Sequence, residues 1–403
     1  MSRVVIVGAG PAGGALAFLL ARRGIAVTLL ERHPDFDRTF RGDGLQPSGL
    51  DAFEQMGLGN RLRTLPRAVI NAIEIYQGGR RQARFPTEKL GFIGCFVPQP
   101  AVLPMLAEEA GKHANFRLEM GTAARELLRV GERVVGIRAE GPDGPRDFPA
   151  DLVVGTDGRY STVRKLGRFT EIATPQIFDI LNLKVPLPDF WPDQGTVRLE
   201  LGAGGITGAI PTADGRLWVG MTLAQGQFKT LKEGGLHTWT EELLRRISSD
   251  LAGHIQAHPE CLKQPILLDV IVGRLTTWTA PGVLLLGDAA HPMSPIGGQG
   301  INLALRDALV AANHLCPVLA AGNDPASIDG AAQRVAADRM PEIVAMQEHQ
   351  HRQAQTFLRS DRLLSRWSLR LLPMLVKSGL LRLLMGKRLH GLQHGVVPVR
   401  LTV

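Results

Sequence analysis

The N-terminal part of the chain shows a pattern of apolar and polar positions that predicts a strand, a helix and a second strand. Residues 4–7 form a continuous apolar run, which is typical of a strand buried on both faces. A glycine-containing turn follows, and the apolar segment 11–23 then ends at a glycine, as helices commonly do. Residues 27–30 form a second apolar run that ends at Glu31. This order predicts parallel strands joined by a right-handed crossover.

Segments farther along the chain alternate between apolar and polar residues, and this alternation predicts a second sheet. Residues 73–76 and 197–201 follow the pattern of half-exposed antiparallel strands. Asp214 and Gly215 separate two strand-like segments and predict a hairpin turn. After a further buried strand at residues 283–286, the chain is expected to be mainly helical.

These elements predict an α/β fold. A Rossmann-like domain with a parallel sheet is interleaved with a mixed or antiparallel β-sheet domain, and a helical segment follows. The Rossmann-like domain is assigned to residues 1–70, 95–170 and 271–350. The β-sheet domain, which would bind a substrate, is assigned to residues 71–94 and 171–270, and basic amphipathic helices to residues 351–403.

The positive charge of the chain is concentrated at its C-terminal end. The formal net charge is +8, but residues 351–403 contain ten Lys and Arg against one acid. The 350 residues before them therefore carry 36 basic against 37 acidic side chains. The body of the protein lacks the basic surface that nucleic-acid binding requires, so nucleic acid is not an expected partner.

The basic segment has the pattern of an amphipathic helix. Four arginines recur at steps of three and four residues, and four apolar residues recur on a different face. They are Arg359, Arg362, Arg366 and Arg370, and Leu364, Trp367, Leu371 and Leu375. Residues 359–390 could pack on the protein or on a second copy, contact an anionic membrane surface, or bind a partner protein. The sequence leaves these alternatives open, together with the choice between a monomer and a homodimer.

The cysteines predict a protein of a reducing compartment, and the apolar segments predict no membrane-spanning helix. Cys95, Cys261 and Cys316 are widely separated and form no CxxC or metal-ligand pattern. We expect a cytoplasmic protein without disulfides and without a metal, at most peripherally associated with the inner membrane surface. No segment is predicted to span a membrane.

The first motif that carries chemistry, GAGPAG at residues 8–13, lies between the first strand and the first helix. Its glycines permit a tight turn, a close approach of backbone to a pyrophosphate, and close packing of the helix on the strand. Glu31, at the end of the second strand, suits the ribose hydroxyls. The motif predicts a dinucleotide but does not distinguish NAD from FAD. The predicted contacts are Gly8, Gly10, Pro11, Ala12, Gly13, Glu31 and Arg32.

Two later motifs also follow predicted strands. In residues 282–302, a strand ends at Asp288, which can accept hydrogen bonds from a sugar-alcohol chain, although an acid at this position can also cap a helix. The glycine-rich turn that follows lets backbone N–H groups approach a planar ring, and the next helix dipole favours negative charge there. Residues 151–164 (DLVVGTDGRYSTVR) form a strand, a turn and a helix start, in which Ser161 could simply be the helix cap.

The three motifs together resemble those of the para-hydroxybenzoate-hydroxylase-like, class A FAD-dependent monooxygenases. The resemblance covers roughly residues 3–350, and the motifs occur in the order found in that family. It implies an enzyme that uses FAD, NADH or NADPH, and O2 to hydroxylate or epoxidise an aromatic or lipophilic organic substrate through a flavin hydroperoxide. A second GxGxxG motif for the nicotinamide nucleotide is absent, as that family leads one to expect.

The resemblance also implies roles for individual residues. Those expected near the pyrophosphate and the ribityl chain are Arg41, Gln99, Asp157, Gly158 and Asp288, of which Asp157 would also contact the nicotinamide nucleotide. Those expected near the isoalloxazine ring are Gly298, Gly300, Ile301 and Asn302, with Pro295 beside the ring where oxygen reacts. His291 is the candidate catalytic base, although a histidine in this position is more often structural.

The substrate pocket is expected between the flavin and the second sheet. Candidate residues on its strands are Phe178, Asn182, Arg198, Thr207, Met221 and Phe228, each of which could equally be an ordinary core or surface residue. Three other functions share the FAD scaffold: a halogenase, a reductase of prenyl or polyene groups, and a non-enzymatic flavin-holding protein. The WxWxIP segment typical of the halogenases is absent.

Overall fold

The computed structural model describes residues 3–37, 43–90, 94–174, 178–202, 205–263, 265–268, 270–358, 391 and 393–403. The strands of these residues are β1 (Arg3–Val7), β2 (Ala26–Leu30), β3 (Gly44–Leu45), β4 (Ala68–Val69), β5 (Ala72–Gln77), β6 (Arg80–Pro86), β7 (Cys95–Phe96), β8 (Phe116–Glu119), β9 (Ala123–Val130), β10 (Arg133–Gly141), β11 (Gly144–Pro149), β12 (Leu152–Gly155), β13 (Glu171–Ala173), β14 (Phe178–Pro186), β15 (Thr196–Gly202), β16 (Gly205–Pro211), β17 (Arg216–Ala224), β18 (Ile266–Leu268), β19 (Gly273–Leu275), β20 (Thr279–Ala280) and β21 (Val283–Leu285). The α-helices are α1 (Pro11–Arg22), α2 (Pro47–Gln55), α3 (Gly59–Thr64), α4 (Gln99–Gly111), α5 (Thr162–Leu166), α6 (Gln227–Glu233), α7 (Gly235–Arg246), α8 (Ser249–Gln256), α9 (Gly300–Ala321) and α10 (Pro325–Leu358).

The first sheet has six strands in the order β20-β21-β12-β1-β2-β8. β1 pairs in parallel with β2 on one side and β12 on the other, and only β20 runs antiparallel to its neighbour. Helix α1 follows β1 and packs against α4 and α9. The predicted strand–helix–strand unit is confirmed. The apolar runs are continuous because these strands are covered on both faces.

The second sheet has seven strands in the order β18-β14-β17-β16-β15-β5-β6. β16 and β17 form the predicted hairpin, and Gly215 in its turn has a φ of +70°. One face of this sheet packs against α7 and α8 through apolar side chains. β5 and β15 were expected to be antiparallel, but they pair with each other in parallel, and each is antiparallel only to its other neighbour.

The polar positions of β5 and β15 are buried, so the prediction that they face solvent is wrong. Glu74 and Glu200 are at most 2% exposed, and they share their surroundings with the equally buried Arg198. The Arg198 guanidinium lies between the rings of Tyr76 and Trp191, at 4.2 and 4.4 Å from their centroids. Burial raises the pKa of Glu200. The alternation of apolar and polar residues in β5 and β15 therefore reflects a buried cluster of charges covered by α7 and α8, and not a face exposed to solvent.

The remaining strands form small sheets beside the two large ones. β9, β10 and β11 form an antiparallel sheet, β3, β7 and β4 another, and β13 pairs with β19. Strands of the first sheet come from three separate stretches of sequence, and strands of the second sheet lie between them. The exact residue boundaries assigned to the two domains remain a prediction.

One segment of the described residues, Ile296–Ala321, is long and apolar enough to span a membrane by length and composition, contrary to the expectation from sequence. Of its most apolar window, 72% is buried inside the protein. It contains α9, whose side chains belong to the main core. The apolarity of this helix is therefore explained by its position in the core.

The C-terminal residues 393–403 return to the first sheet's helices. Gln55 of α2 contacts the backbone of Val399 and Leu401, at 3.1 and 2.6 Å. Asn313 of α9 likewise binds the backbone of Arg400 and Thr402. Residues 395–403 are not helical, which corrects the prediction for this part of the tail. The amphipathic helices predicted at 359–390 lie outside the described residues.

Candidate functional site

A cavity of about 850 Å³ opens between the two large sheets. It lies at the carboxyl ends of β1, β2, β12 and β21, and the seven-stranded sheet forms its opposite wall. The carboxyl ends of parallel strands are where α/β proteins bind their ligands, and the volume is in the range of ligand pockets. All three sequence motifs reach this cavity.

The first motif forms a turn in which two glycines are required by space. A Cβ on Gly8, whose φ is +102°, would lie 2.6 Å from the backbone oxygen of Thr156. A Cβ on Gly13 would lie 2.0 Å from the backbone oxygen of Gly8. Gly10 is the N-cap of α1. Gly8, Gly10, Pro11 and Ala12 line the cavity, whereas Gly13 lies behind them. The N-terminus of α1 therefore opens on a surface of bare backbone, which fits a pyrophosphate.

Glu31 and Arg32 line the same cavity at the end of β2. The Glu31 carboxylate is only 3% exposed. It accepts hydrogen bonds from the backbone N–H groups of Ala9 and His33, at 3.0 and 3.1 Å, and contacts His33 Nδ1 at 2.7 Å. Glu31 thus stabilises the glycine-containing turn by a hydrogen bond and also lines the cavity. A buried acid at this position fits the ribose of a dinucleotide.

Asp157 and Gly158 also line the cavity, but the Asp157 carboxylate is bound to its own chain. It accepts hydrogen bonds from the backbone N–H groups of Thr162 and Val163, at 2.6 and 3.1 Å, and from the Ser161 hydroxyl. Ser161 in turn caps α5, as the simpler interpretation predicted. Burial raises the pKa of Asp157. The side chain therefore shapes the turn, and contact with a nucleotide remains a prediction.

Asp288 faces the cavity from the short 3-10 helix Gly287–Ala289, which has no side-chain cap. The alternative role of Asp288 as a helix cap is therefore not observed. The Asp288 carboxylate is 32% exposed and lies 3.8 Å from the Nε atom of Arg159, which also lines the cavity. Arg159 was not among the residues predicted from the sequence, although it lies within the motif of residues 151–164.

The glycine-rich turn after Asp288 forms the cavity wall at the N-terminus of α9. Pro295, Gly298, Gly300 and Ile301 line the cavity. Gly298 has a φ of +61°, which favours glycine. α9 begins at Gly300. A planar ring placed here would meet backbone groups and the positive end of a helix dipole.

The side chain of Asn302 holds this turn rather than facing the cavity. It is fully buried, accepts a hydrogen bond from the backbone N–H of Gln46 at 2.9 Å, and donates to the backbone oxygens of Gly44 and Gly298 at 3.1 and 2.7 Å. It is not among the residues that line the cavity. The Gln46 side chain donates to the Gly297 oxygen at 2.9 Å. Asn302 and Gln46 thus join two distant parts of the chain.

Gln99 lines the cavity at the start of α4, where its backbone N–H donates to the Asp43 carboxylate at 3.2 Å. Asp43 lines the cavity too, and its burial raises its pKa to about 6. Sequence analysis missed Asp43, because an isolated acid in a loop gives no sign of burial. Arg41, two residues earlier, lies outside the described residues.

His291 lies in the core behind the cavity and is not among its lining residues. It is 1% exposed, its Nε2 atom lies 2.6 Å from the Asp307 carboxylate, and its ring packs 4.9 Å from that of Trp278. Burial alone would raise the pKa of Asp307, but the charges of His291 and Arg339 lower it to about 2. These surroundings are those of a structural histidine.

The wall formed by the seven-stranded sheet is mainly apolar. Of the candidate pocket residues, Phe178 and Asn182 line the cavity, whereas Arg198, Thr207, Met221 and Phe228 do not. Successive residues of a strand face opposite sides, so the residues on either side of Thr207 face the cavity while Thr207 is buried behind the sheet. The sequence pattern alone did not show which face belonged to the pocket.

Comparison with known proteins agrees with this geometry. The family model described as FAD binding domain matches residues 1–340. The 6-methylpretetramide 4-monooxygenase of Streptomyces rimosus is 34% identical over 318 residues, which cover 78% of this chain and 75% of that protein. Digeranylgeranylglycerophospholipid reductase 2 of Methanothermobacter thermautotrophicus is 28% identical over 76% of this chain and 76% of that protein.

Solved structures share the fold. The crystal structure of p-nitrophenol 4-monooxygenase PnpA from Pseudomonas putida matches 99% of this chain and 100% of that chain, with a TM-score of 0.76. The two sequences are 19% identical, so this match concerns the fold alone.

Proposed function

Because this chain belongs to the FAD-dependent monooxygenases of the FAD binding domain family, we propose that it hydroxylates an aromatic or lipophilic organic substrate, using O2 and NADH or NADPH. The observation that carries the proposal is the convergence of three glycine-containing turns on one cavity, opposite an apolar sheet wall. The geometry provides a dinucleotide site and an adjacent space for an organic compound.

The residues that would hold FAD follow from their positions in the cavity. The turn of Gly8 and Gly10, with Pro11 and Ala12 at the start of α1, would bind the pyrophosphate. Glu31 would accept hydrogen bonds from the ribose, and Asp288 from the ribityl chain. Neighbouring contacts would come from Arg32, Gln99, Asp157 and Gly158. The turn of Pro295, Gly298, Gly300 and Ile301 would meet the isoalloxazine ring.

FAD, when bound, supplies the electron transfer and the oxygen chemistry, while the protein supplies position and surroundings. The N-terminus of α9 would stabilise negative charge on the ring edge next to it. The apolar sheet wall would exclude water from the space beside the ring. Pro295 would shape the wall at that point without offering a donor, since proline has no N–H group.

A reductase of prenyl or polyene groups is less well supported. The monooxygenase relative is 34% identical to this chain, whereas the reductase relative is 28% identical. The mass of the product separates the two reactions. A monooxygenase product is heavier than its substrate by one oxygen atom, and a reductase product by two hydrogen atoms.

The direct test is oxidation of NADH or NADPH by the purified holoprotein with a set of phenols and fused-ring aromatics under isotopically labelled O2. We expect nucleotide oxidation that increases with one class of compound, and one labelled oxygen atom in the product. Nucleotide oxidation with an unlabelled or hydrogenated product would contradict the proposed hydroxylation. Omission of the aromatic compound is the control for uncoupled oxidation.

We further propose a cytoplasmic protein that contacts the inner membrane surface through residues 359–390. The support is the sequence pattern, whose spacing would place arginines and apolar residues on different faces of a helix. Replacing Arg359, Arg362, Arg366 and Arg370 with glutamine in the full-length protein should abolish co-sedimentation with phosphatidylglycerol vesicles, since each arginine near an anionic surface contributes about 1 kcal/mol. If the unchanged protein fails to co-sediment, the remaining alternatives are packing on the protein itself, packing on a second copy and binding to a partner protein. Sedimentation velocity would identify a homodimer.

A further inference from the structure

The cavity face of the seven-stranded sheet contains a strip without side chains. Gly208 of β16 pairs directly with Gly220 of β17. The next residue in this row is Asn182 on β14 at one end, and Leu199 on β15 at the other. All four residues line the cavity. The row therefore has a side chain at each end and bare backbone between them.

The dimensions of this strip suit a planar group. Adjacent strands lie about 4.8 Å apart, so the row from Asn182 to Leu199 crosses about 14 Å of sheet. The rows on either side carry larger side chains, which include Trp218 and Ile210 on one side and Ile180 on the other. A flat floor between apolar side chains favours a ring system that lies face-on against the backbone.

The polar group at the end of the strip is the Asn182 carboxamide. Asn182 is 3% exposed, and a Cβ on Gly220 would lie 2.6 Å from its Oδ1 atom. The carboxamide therefore reaches over the end of the bare strip. Among the described residues, the contacts of its Nδ2 atom are long, at 3.5 and 3.4 Å, with the backbone oxygens of Ile180 and Ile266. Such a group is in position to exchange these contacts for a hydrogen bond with a ligand.

We propose that the substrate is a planar, fused-ring hydroxylated aromatic compound that lies flat on the strip of Gly208 and Gly220 and presents a hydroxyl group to Asn182. This proposal rests on the function proposed above and specifies the substrate class of the same cavity. A single ring would cover only part of the strip, so the absence of side chains would matter little to it.

The sharpest test is the Gly208→Ala variant. Among the described residues, a Cβ at this position meets Leu199 Cδ2 alone, at 3.9 Å, which is an ordinary contact that the folded protein accommodates. The methyl group would occupy the floor under the rings. We expect the Kd of a hydroxyanthraquinone to rise about tenfold or more. The Kd values of phenol and of FAD should change by less than about twofold, because neither needs the whole strip.

A matched control uses the same substitution in the same sheet. Gly202, at the end of β15, lies outside the cavity lining, and in the part of the chain that the structure describes a Cβ there meets the Arg246 backbone alone, at 3.8 Å. Gly202→Ala should leave all three Kd values unchanged. If Gly208→Ala binds the hydroxyanthraquinone as the unchanged protein does, the ring does not lie on the strip and the proposal is wrong.

The role of Asn182 is tested with Asn182→Leu, which keeps a side chain of similar size. We expect the Kd of the hydroxyanthraquinone to rise about tenfold, and that of anthracene, which has the same three fused rings but no hydrogen-bonding group, to stay the same. An equal rise in both Kd values would show that Asn182 does not form the proposed hydrogen bond with the hydroxyl group. Quenching of protein fluorescence measures these Kd values without NADH or NADPH. If the protein binds fused-ring compounds selectively but inserts no oxygen, the proposed hydroxylation is refuted. The proposal that the rings bind on the strip would still be supported.

Discussion

Asp288 and His291 are three residues apart, yet the structure gives them opposite surroundings. Asp288 faces the cavity and is about a third exposed, whereas His291 is buried against Trp278 and bound to Asp307. The short 3-10 helix Gly287–Ala289 turns the two side chains to different sides. The sequence places both residues after the same strand but does not encode this rotation in any simple pattern.

Replacing Asp288 with alanine should weaken FAD binding. A hydrogen bond to a charged group contributes about 1.5–3 kcal/mol, so the Kd of FAD is expected to rise about tenfold or more. Titration of flavin fluorescence measures this Kd. Asp143→Ala, at an exposed hairpin position, is the control and should bind FAD normally. Unchanged FAD affinity in Asp288→Ala would refute the predicted contact with the ribityl chain.

Replacing His291 with glutamine should lower stability without changing catalysis per bound FAD. The change disturbs a buried hydrogen bond, for which a cost of about 1–3 kcal/mol is typical. Urea denaturation gives the free energy of unfolding, and turnover is normalised to flavin content. His314→Gln is the control, because His314 bonds Asp338 at 2.7 Å near the surface. Normal stability with lost turnover would show instead that His291 is a catalytic residue.

Asp43 should make stability depend on pH near neutrality. Its folded-state pKa is about 6, above the ordinary 3.8, because burial disfavours the carboxylate. The stabilising contribution of the protonated form is therefore present below pH 3.8 and is lost as the pH rises through 6. Asp43→Asn should gain up to about 3 kcal/mol relative to the unchanged protein between pH 4 and pH 7. A constant difference in the free energy of unfolding over this range would contradict the shifted pKa.

At the scale of elements, the seven-stranded sheet uses its two faces for different purposes. One face forms the cavity wall, and the other packs against α7 and α8 through apolar side chains and also covers a cluster of buried charges. Arg198 donates to Ser248 and Asp250, at 3.2 and 3.0 Å, and Ser248 donates to Glu200 at 2.6 Å. The alternation of β15 correctly predicted a strand, but it could not show that helices distant in sequence cover its polar side.

Arg198→Met should therefore destabilise this element strongly. The change keeps most of the volume but removes the cation 3.9 Å from the buried Glu200 carboxylate, whereas Glu74 keeps its ion pairs with Arg81 and Arg84. A loss of about 3–5 kcal/mol is typical when one partner of a buried ion pair is removed. Arg80→Met, at an exposed position of β6, is the matched control and should change the free energy of unfolding by less than about 0.5 kcal/mol. A small effect of Arg198→Met, measured by urea denaturation, would mean that the cluster contributes little net stability.

At the scale of the whole molecule, the convergence of the motifs could be predicted, while several contacts between distant segments could not. The motifs follow apolar runs that form neighbouring parallel strands, and the carboxyl ends of such strands meet at one edge of a sheet. Asn302 belongs to the motif of residues 282–302, but its bonds to Gly44 and Gln46 cross more than 250 residues of sequence. No local pattern specifies contacts of that separation.

The docking of residues 394–397 has a consequence for resistance to proteolysis. Arg306 and Glu342 form a buried ion pair whose remaining hydrogen-bonding groups contact the backbone of His394, Val396 and Val397. A variant truncated before residue 394 would lack these contacts and would carry two incompletely bonded charges in its core. It should therefore be degraded by added protease more rapidly than the 403-residue chain.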